Sequence, residues 1–420
     1  MKLFYLGVLL FVSLNVVGQH PDSEFEKIYH LIKQKAFFKA KESYCINKNK
    51  LSILHQTIVE AFIDNSFNAL KHSNNKISYI MKSKHMLSDS LCLALYKIKE
   101  DNSVKLFNYK EAKNTLDTIF TGYNNILTDD ERKELDNNLK IWSALDRELA
   151  QQINIYESDT LEMIKDKAGL DNLAITTIGK DTIHFVFDTG ANLSTITESV
   201  GKKMHIKTIP VDIEVGTITG ENVLAQLGVC PSFMLGNIEI QNAVFLVLKD
   251  SDLTFEQIDY QINGVLGFPI IEGLREVKIT DDGHFIIVNQ GMEIMQYSNM
   301  VLDGLTPLIS IEGRSYSLDT GASQTILYHA YYAEKQSEID KLYKATKLTF
   351  AGAGGTKEFE GYIIDPVFNT FNKKIKLKDV QLLKSKINDK ETLYGNIGQD
   401  FMKQFSSMTL NFDQMFVKFD

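Results

Sequence analysis

Asp188-Thr189-Gly190-Ala191 recurs as Asp319-Thr320-Gly321-Ala322, with an interval between the two aspartates of 319 − 188 = 131 residues. At average residue frequencies a given four-residue string arises by chance in roughly one chain in a hundred of this length, so the recurrence weighs more than either copy. The approaches also match. Ile183-His184-Phe185-Val186-Phe187 runs into the first copy and Ser315-Tyr316-Ser317-Leu318 into the second, both as short alternating strands. Downstream, Gly264-Val265-Leu266-Gly267 and Gly395-Asn396-Ile397-Gly398 keep the interval, 398 − 267 = 131, so each aspartate precedes its glycine by 79 residues (267 − 188 and 398 − 319). A constant offset across separate landmarks marks an internal duplication.

Period-two patterning extends outward from these landmarks. Leu173 to Ile178, a Gly179-Lys180-Asp181 turn and Thr182 to Phe187 read as a hairpin delivering Asp188, and Leu308 to Ile311 with Ser315 to Leu318 repeats it before Asp319. A further hairpin is expected after each downstream glycine. Val277 to Ile279 with Phe285 to Ile287 form the first, and Met408 to Phe412 with Met415 to Phe419 the second. Two lobes follow, 157–295 and 296–420, with a linker near 291–305.

At these residues the chain resembles the retropepsin-like and pepsin-like aspartic proteases, with Ala after Asp-Thr-Gly as in retroviral and many bacterial members. The resemblance covers about 173–420. It implies that Asp188 and Asp319 are the catalytic pair, that Thr189, Gly190, Ala191, Thr320, Gly321 and Ala322 complete their loops, and that Gly267 and Gly398 end strands lying beside them. It also implies a flap hairpin in each lobe, for which Thr219 and Gly220 in one turn and Gly354 and Gly355 in another are the candidates. Neither turn carries the tyrosine that pepsins place over the scissile bond.

Peptide hydrolysis without a metal or covalent intermediate needs a base to take a proton from water and an acid to protonate the carbonyl oxygen and then the leaving amine. Two carboxyls sharing one proton supply both, because like charges about 3 Å apart cannot both ionise and the pair titrates as a unit. Thr189 and Thr320 are expected to bond across a pseudo-twofold axis. The hydroxyls six residues after each aspartate, Ser194 and Thr325, are expected to bond their own loops. In pepsins a Ser or Thr after Asp-Thr-Gly can hydrogen-bond the ionised pair; alanine in both places predicts activity extending to weakly acidic or near-neutral pH.

Other chemistries lack their residues. The chain has no His-Glu-x-x-His, Cys-x-x-Cys, Gly-x-Ser-x-Gly or phosphate loop ending in Gly-Lys-Ser/Thr. Its nine histidines are scattered, and its three cysteines, Cys45, Cys92 and Cys230, are expected to be unpaired. No cofactor or metal is expected. A formal charge of −9 without a dense Lys/Arg run argues against nucleic acid.

Residues 1–18, one lysine followed by an apolar run and small residues, read as a secretory signal peptide, which implies a soluble periplasmic or secreted protein with no membrane span. Residues 19–156 read as helical, since apolar positions recur at three and four and glycine is nearly absent. Phe37-x-x-Ala40 and Tyr109-x-x-Ala112 have the aromatic-to-small spacing of tetratricopeptide-like hairpins, with a plain bundle left open. Trp142, the single tryptophan, falls in this domain, outside both lobes.

The fold class read from the chain is α+β multidomain, an N-terminal helical domain followed by two all-β acid-protease lobes forming a pseudo-dimer. The function read is a monomeric aspartic endopeptidase acting on peptides or proteins, with the helices modulating access or recruiting a protein partner. A catalytically silent peptide-binding protein with the same fold is the alternative.

Overall fold

The computed structural model describes residues 23–216, 222–255, 259–289, 298–352, 355–388 and 390–420. The signal-peptide reading and the first flap candidates, Thr219 and Gly220, therefore lie outside the described residues, as does Gly354.

The N-terminal region folds as helical hairpins: α1 (Ser23–Lys33) with α2 (Phe37–Asn47), α3 (Ile53–Ser66) with α4 (Leu70–Ile80), and α5 (Asp89–Lys105) with α6 (Tyr109–Gly122), followed by α7 (Asp129–Leu145). Each first helix stops in the same way. Lys35, Asn68 and Phe107 take left-handed φ values of 57°, 60° and 54°, and the next residue's N–H reaches back five residues, Ala36 to Leu31, Ala69 to Asp64 and Asn108 to Ser103. That bond satisfies a terminal carbonyl and turns the chain for the return helix. Ala40, Ser73 and Ala112, one turn into the three return helices, are fully buried, as close helix approach requires. Ser52, Ser88, Asn108 and Thr128 cap the helices that follow them, and Thr128 forms a reciprocal capping box with Glu131.

From residue 152 the chain is mainly β. The strand Gln152–Asn154 pairs with Ile238–Leu248, so the first lobe begins at 152 rather than at 157. The anticipated linker is also shorter, because Met300–Asp303 is a strand paired with Thr306–Ile311.

Both lobes share one strand order. In the first it runs Asp171–Thr177, Thr182–Phe187, Gly264–Leu266, Ser194–Thr197, Ile238–Leu248, Asn222–Leu235, Lys207–Gly216. In the second it runs Thr306–Ile311, Arg314–Leu318, Gly395–Ile397, Ile326–Leu327, Val380–Leu383, Gly355–Ile364, Thr346–Gly352. The lobes are stitched together where Ser407–Asn411 of the second pairs along its whole length with Glu276–Thr280 of the first. The hairpins after Gly267 and Gly398 thus meet in one shared sheet.

The helices do not form a separate body. Leu135, Ile141, Trp142 and Leu145 of α7 join an apolar cluster that includes Ile213, Ala225 and Leu227 of the first lobe's long hairpin. Another cluster joins α1 to α5 with Val301 and Leu308 of the second lobe. The helix α7, which carries Trp142, is therefore packed against the first lobe, because an amphipathic helix must bury its apolar face on a neighbour. Polar bonds fix the docking. The Asn137 side chain accepts from the Glu214 N–H at 2.9 Å and donates to the Glu214 carbonyl at 3.0 Å, pairing the hairpin's edge strand, while Lys35 bridges Asp303 at 2.5 Å.

Candidate active site

The strand Thr182–Phe187 pairs in parallel with Gly264–Leu266, and Arg314–Leu318 with Gly395–Ile397. Each aspartate leaves its strand at the point where that pairing holds it. The Asp188 N–H donates to the Leu266 carbonyl at 3.1 Å and the Asp319 N–H to the Ile397 carbonyl at 3.0 Å. The loop then closes on the strand glycine, with Phe268 N–H donating to Ala191 at 2.8 Å and Gln399 N–H to Ala322 at 2.9 Å. Gly267 and Gly398 sit so close beneath that a Cβ on Gly267 would lie 2.7 Å from the Leu193 carbonyl carbon and one on Gly398 2.5 Å from that of Gln324. No side chain fits there, which explains the paired glycines.

Ser194 and Thr325 take the expected local role, their hydroxyls accepting from the Gly267 and Gly398 N–H groups at 3.0 and 3.1 Å. Thr325 also donates to Asp400 at 2.7 Å.

The two loops interlock. Thr189 N–H donates to the Thr320 hydroxyl at 3.0 Å and Thr320 N–H to the Thr189 hydroxyl at 3.1 Å. Each hydroxyl in turn donates across the axis, Thr189 to the Leu318 carbonyl at 2.7 Å and Thr320 to the Phe187 carbonyl at 2.9 Å. All four bonds are buried, where an unmade bond would carry the full desolvation cost. The interlock brings the carboxyls face to face, each over the other loop's glycine. A Cβ on Gly190 would come within 2.7 Å of the Asp319 Cγ, and one on Gly321 would overlap the Asp188 carboxyl.

Within its own loop, each carboxylate accepts the N–H of its glycine, Gly190 to Asp188 at 2.7 Å and Gly321 to Asp319 at 2.9 Å. Burial, reinforced by the Asp319 charge, pushes the Asp188 carboxyl well above the usual carboxylate range, and the Gly190 and Ala191 N–H groups offset only part of that. Both aspartates nevertheless keep some solvent contact, and Gly190 is exposed.

The sequence reading missed a polar set on one side only. The Asn396 side-chain amide donates to Asp319 Oδ2 at 2.7 Å, and the Ser317 hydroxyl donates to the Asn396 carbonyl oxygen at 2.6 Å. The duplication contained the signal, because at the 131-residue offset Ser317 and Asn396 stand where the first lobe has Val186 and Val265.

A cleft of about 890 Å³ opens between the helices and the first loop, lined by Gly190 to Leu193, the hairpin arm Ile213 to Gly216 and, from the helices, Lys97, Glu100 and Trp142. Glu100 is buried, accepts the Trp142 Nε1–H at 2.7 Å and is pushed up to about 8, mainly by burial and then by the Asp101 charge. Of the remaining flap candidates, Gly355 pairs with Gly352 near the end of the second lobe's hairpin. The three cysteines are free, and His329 Nδ1 lies 2.7 Å from the Lys384 carbonyl.

An aspartyl protease family model matches residues 174–270, which span the first loop and its strand glycine. Among solved structures, a retropepsin-like aspartic protease from Rickettsia conorii matches at 20% identity, covering 33% of this chain and 92% of that one, with a TM-score of 0.23. An aspartic proteinase from Irpex lacteus matches at 11% identity, covering 62% and 96%, with a TM-score of 0.37. No curated protein matches the chain. The match over residues 174–270 supports the likeness of the β-rich portion to the aspartyl proteases.

Proposed function

We propose that this protein is an exported endopeptidase that hydrolyses peptide bonds with a water activated between Asp188 and Asp319. The observation that carries the reading is the reciprocal threonine interlock, which holds two Asp-Thr-Gly loops so that their carboxyls share one site. One carboxylate accepts the proton of the attacking water while the other carboxyl gives its proton to the carbonyl oxygen. The resulting diol collapses as the amine leaves with a proton from the first group. Because both aspartates lie on one chain, the protein works as a monomer, without the dimerisation a retroviral enzyme needs. The helices, which line the cleft beside Gly190, act as a wall that selects which chains enter. Export to the periplasm or medium is inferred from the N-terminal apolar run.

The upward displacement of Asp188 favours the singly protonated pair into weakly acidic and neutral conditions, in accord with alanine at Ala191 and Ala322. The decisive experiment incubates the mature protein with a diverse peptide library between pH 4 and pH 7 and sequences the products. Cleavage that a statine-type inhibitor blocks supports the proposal, and an uncut library across that range refutes it.

A further inference from the structure

We propose that Ser317 and Asn396 break the symmetry of the carboxyl pair, making Asp319 the carboxylate and Asp188 the acid that carries the shared proton. The roles in hydrolysis rest on the endopeptidase reading, whereas the placement of the proton does not.

Asp319 has a donor on each oxygen: the Gly321 N–H at Oδ1, 2.9 Å away, and the Asn396 amide at Oδ2, 2.7 Å away. Donors on both oxygens favour the charged form of Asp319 and disfavour a proton there. The Ser317 hydroxyl donates to the amide's carbonyl oxygen at 2.6 Å, which leaves the amide nitrogen to face Asp319 Oδ2. Both side chains are buried, in paired strands that enter the loop directly. Val186 and Val265, paired at the equivalent positions, have nothing to donate to Asp188. The glycine N–H bonds treat the two carboxyls alike, and among the described residues this side-chain pair gives Asp319 a donor that Asp188 lacks.

The other titratable groups around Asp319 do not compete. Asp188 faces it across the axis, and Tyr328, at the start of the helix His329–Leu342, is kept a neutral phenol by burial and then by the Asp319 and Glu391 charges. In hydrolysis the water oxygen bonds to the carbonyl carbon as the water's proton passes to Asp319 and Asp188 protonates the carbonyl oxygen. On collapse the C–N bond breaks, Asp319 returns its proton to the leaving nitrogen, and a diol hydroxyl returns one to Asp188. Ser317 and Asn396 are positioning residues that act through Asp319.

The test is a ¹³C-carboxyl NMR titration of the Asp-labelled full chain, run beside a pH profile of kcat/KM. Asn396→Val, which copies Val265, is expected to raise the pair's first ionisation, and with it the acidic limb, by about one pH unit, the worth of a hydrogen bond to a charged group. Ser317→Val leaves the amide unanchored and is expected to move both in the same direction by less; it decides the matter should Asn396→Val not fold. A first ionisation that stays put or moves down in these variants overturns the proposal, a downward move meaning that the amide carbonyl faces Asp319. The NMR steps need no turnover. Should the wild type cut nothing while its steps move as expected, the proton assignment stands and the endopeptidase reading fails.

Discussion

Beneath Asp188 the paired strands bring Val186 against Val265, whereas beneath Asp319 they bring Ser317 against Asn396. Every backbone bond around the two loops is duplicated to within a few tenths of an ångström, from the aspartate N–H on its strand to the glycine N–H on its carboxylate. The contrast separates two kinds of constraint. Backbone bonds and the glycines beneath them set where the carboxyls stand, and a change in either lobe would misplace both. The side chains under the loops set only the charge distribution, so each lobe was free to take a different pair. The outer surroundings diverge in the same way: α7 clasps the first lobe's hairpin at Glu214, while Lys390 of the second lobe pairs with Glu134 of α7 at 3.0 Å.

The largest effect belongs to the feature the lobes share. Asp188→Asn and Asp319→Asn each leave one carboxyl without a partner for the shared proton, and each is expected to lower kcat/KM by about 10³-fold or more with the fold intact. A steady-state assay on variants shown to be folded by circular dichroism checks this. Near-wild-type turnover in either would mean that the lobes do not act as a pair.

The interlock tests the symmetry itself. Thr189→Val removes the acceptor of the Thr320 N–H and the donor to Leu318, and Thr320→Val does the mirror image with Thr189 and Phe187. Each leaves buried backbone groups unpaired, so each is expected to cost about 1 to 3 kcal/mol in urea denaturation, by similar amounts. The double variant should fall short of the sum, because the bonds belong to one network. Clearly unequal single losses would show that one lobe supports the loops more than the other.

Much of this was legible in the sequence. The duplicated Asp-Thr-Gly-Ala, its 79-residue distance to a glycine and the flanking alternation located the loops, the strand glycines and the hairpins at Val277 and Met408, because tight turns and strand pairing depend on local residue types. Ser317 and Asn396 were visible as departures from the repeat but carried no meaning until the fold placed Asn396 Nδ2 against Asp319. The start of the lobe at Gln152 and the seat of Trp142 were hidden for another reason. Helical periodicity says that a face is apolar without saying what covers it, and the cover here is a hairpin some eighty residues downstream of α7.

That cover sets up a smaller, pH-dependent difference between the two sides. Glu100, bonded to Trp142 next to the first lobe's hairpin, sits at about 8 in the folded protein, whereas an unfolded chain would hold it near about 4.3. Between those values the folded state binds more protons, so stability falls as pH rises through that window. Glu100→Gln should therefore be more stable than wild type above pH 8, by on the order of a few kcal/mol, with the gain gone below pH 4. Because Trp142 is the single tryptophan, its emission in the wild type should also shift with a midpoint near pH 8 and stay flat in the variant. A flat wild-type emission would mean that Glu100 does not titrate there.

The smallest expected effect asks whether the second lobe's carboxylate is already supplied with donors. A serine after Asp-Thr-Gly can give its hydroxyl to the neighbouring carboxylate and favour the charged form. In the first lobe Ala191 adjoins Asp188, whose strand pair, Val186 and Val265, offers no donor; Ala191→Ser should make the acid easier to ionise and lower the basic limb of the pH profile by roughly half a unit to one unit. In the second lobe Ala322 adjoins Asp319, which already accepts from Gly321 and Asn396. A further donor adds less to a carboxylate already stabilised by two, so Ala322→Ser should lower the acidic limb by less than Ala191→Ser lowers the basic one. In an Asn396→Val background that vacancy reopens, and Ala322→Ser should then recover part of the lost ionisation. Equal shifts from the two serines in the wild-type background, with no added effect beside Asn396→Val, would mean that the amide of Asn396 does not govern the charge on Asp319.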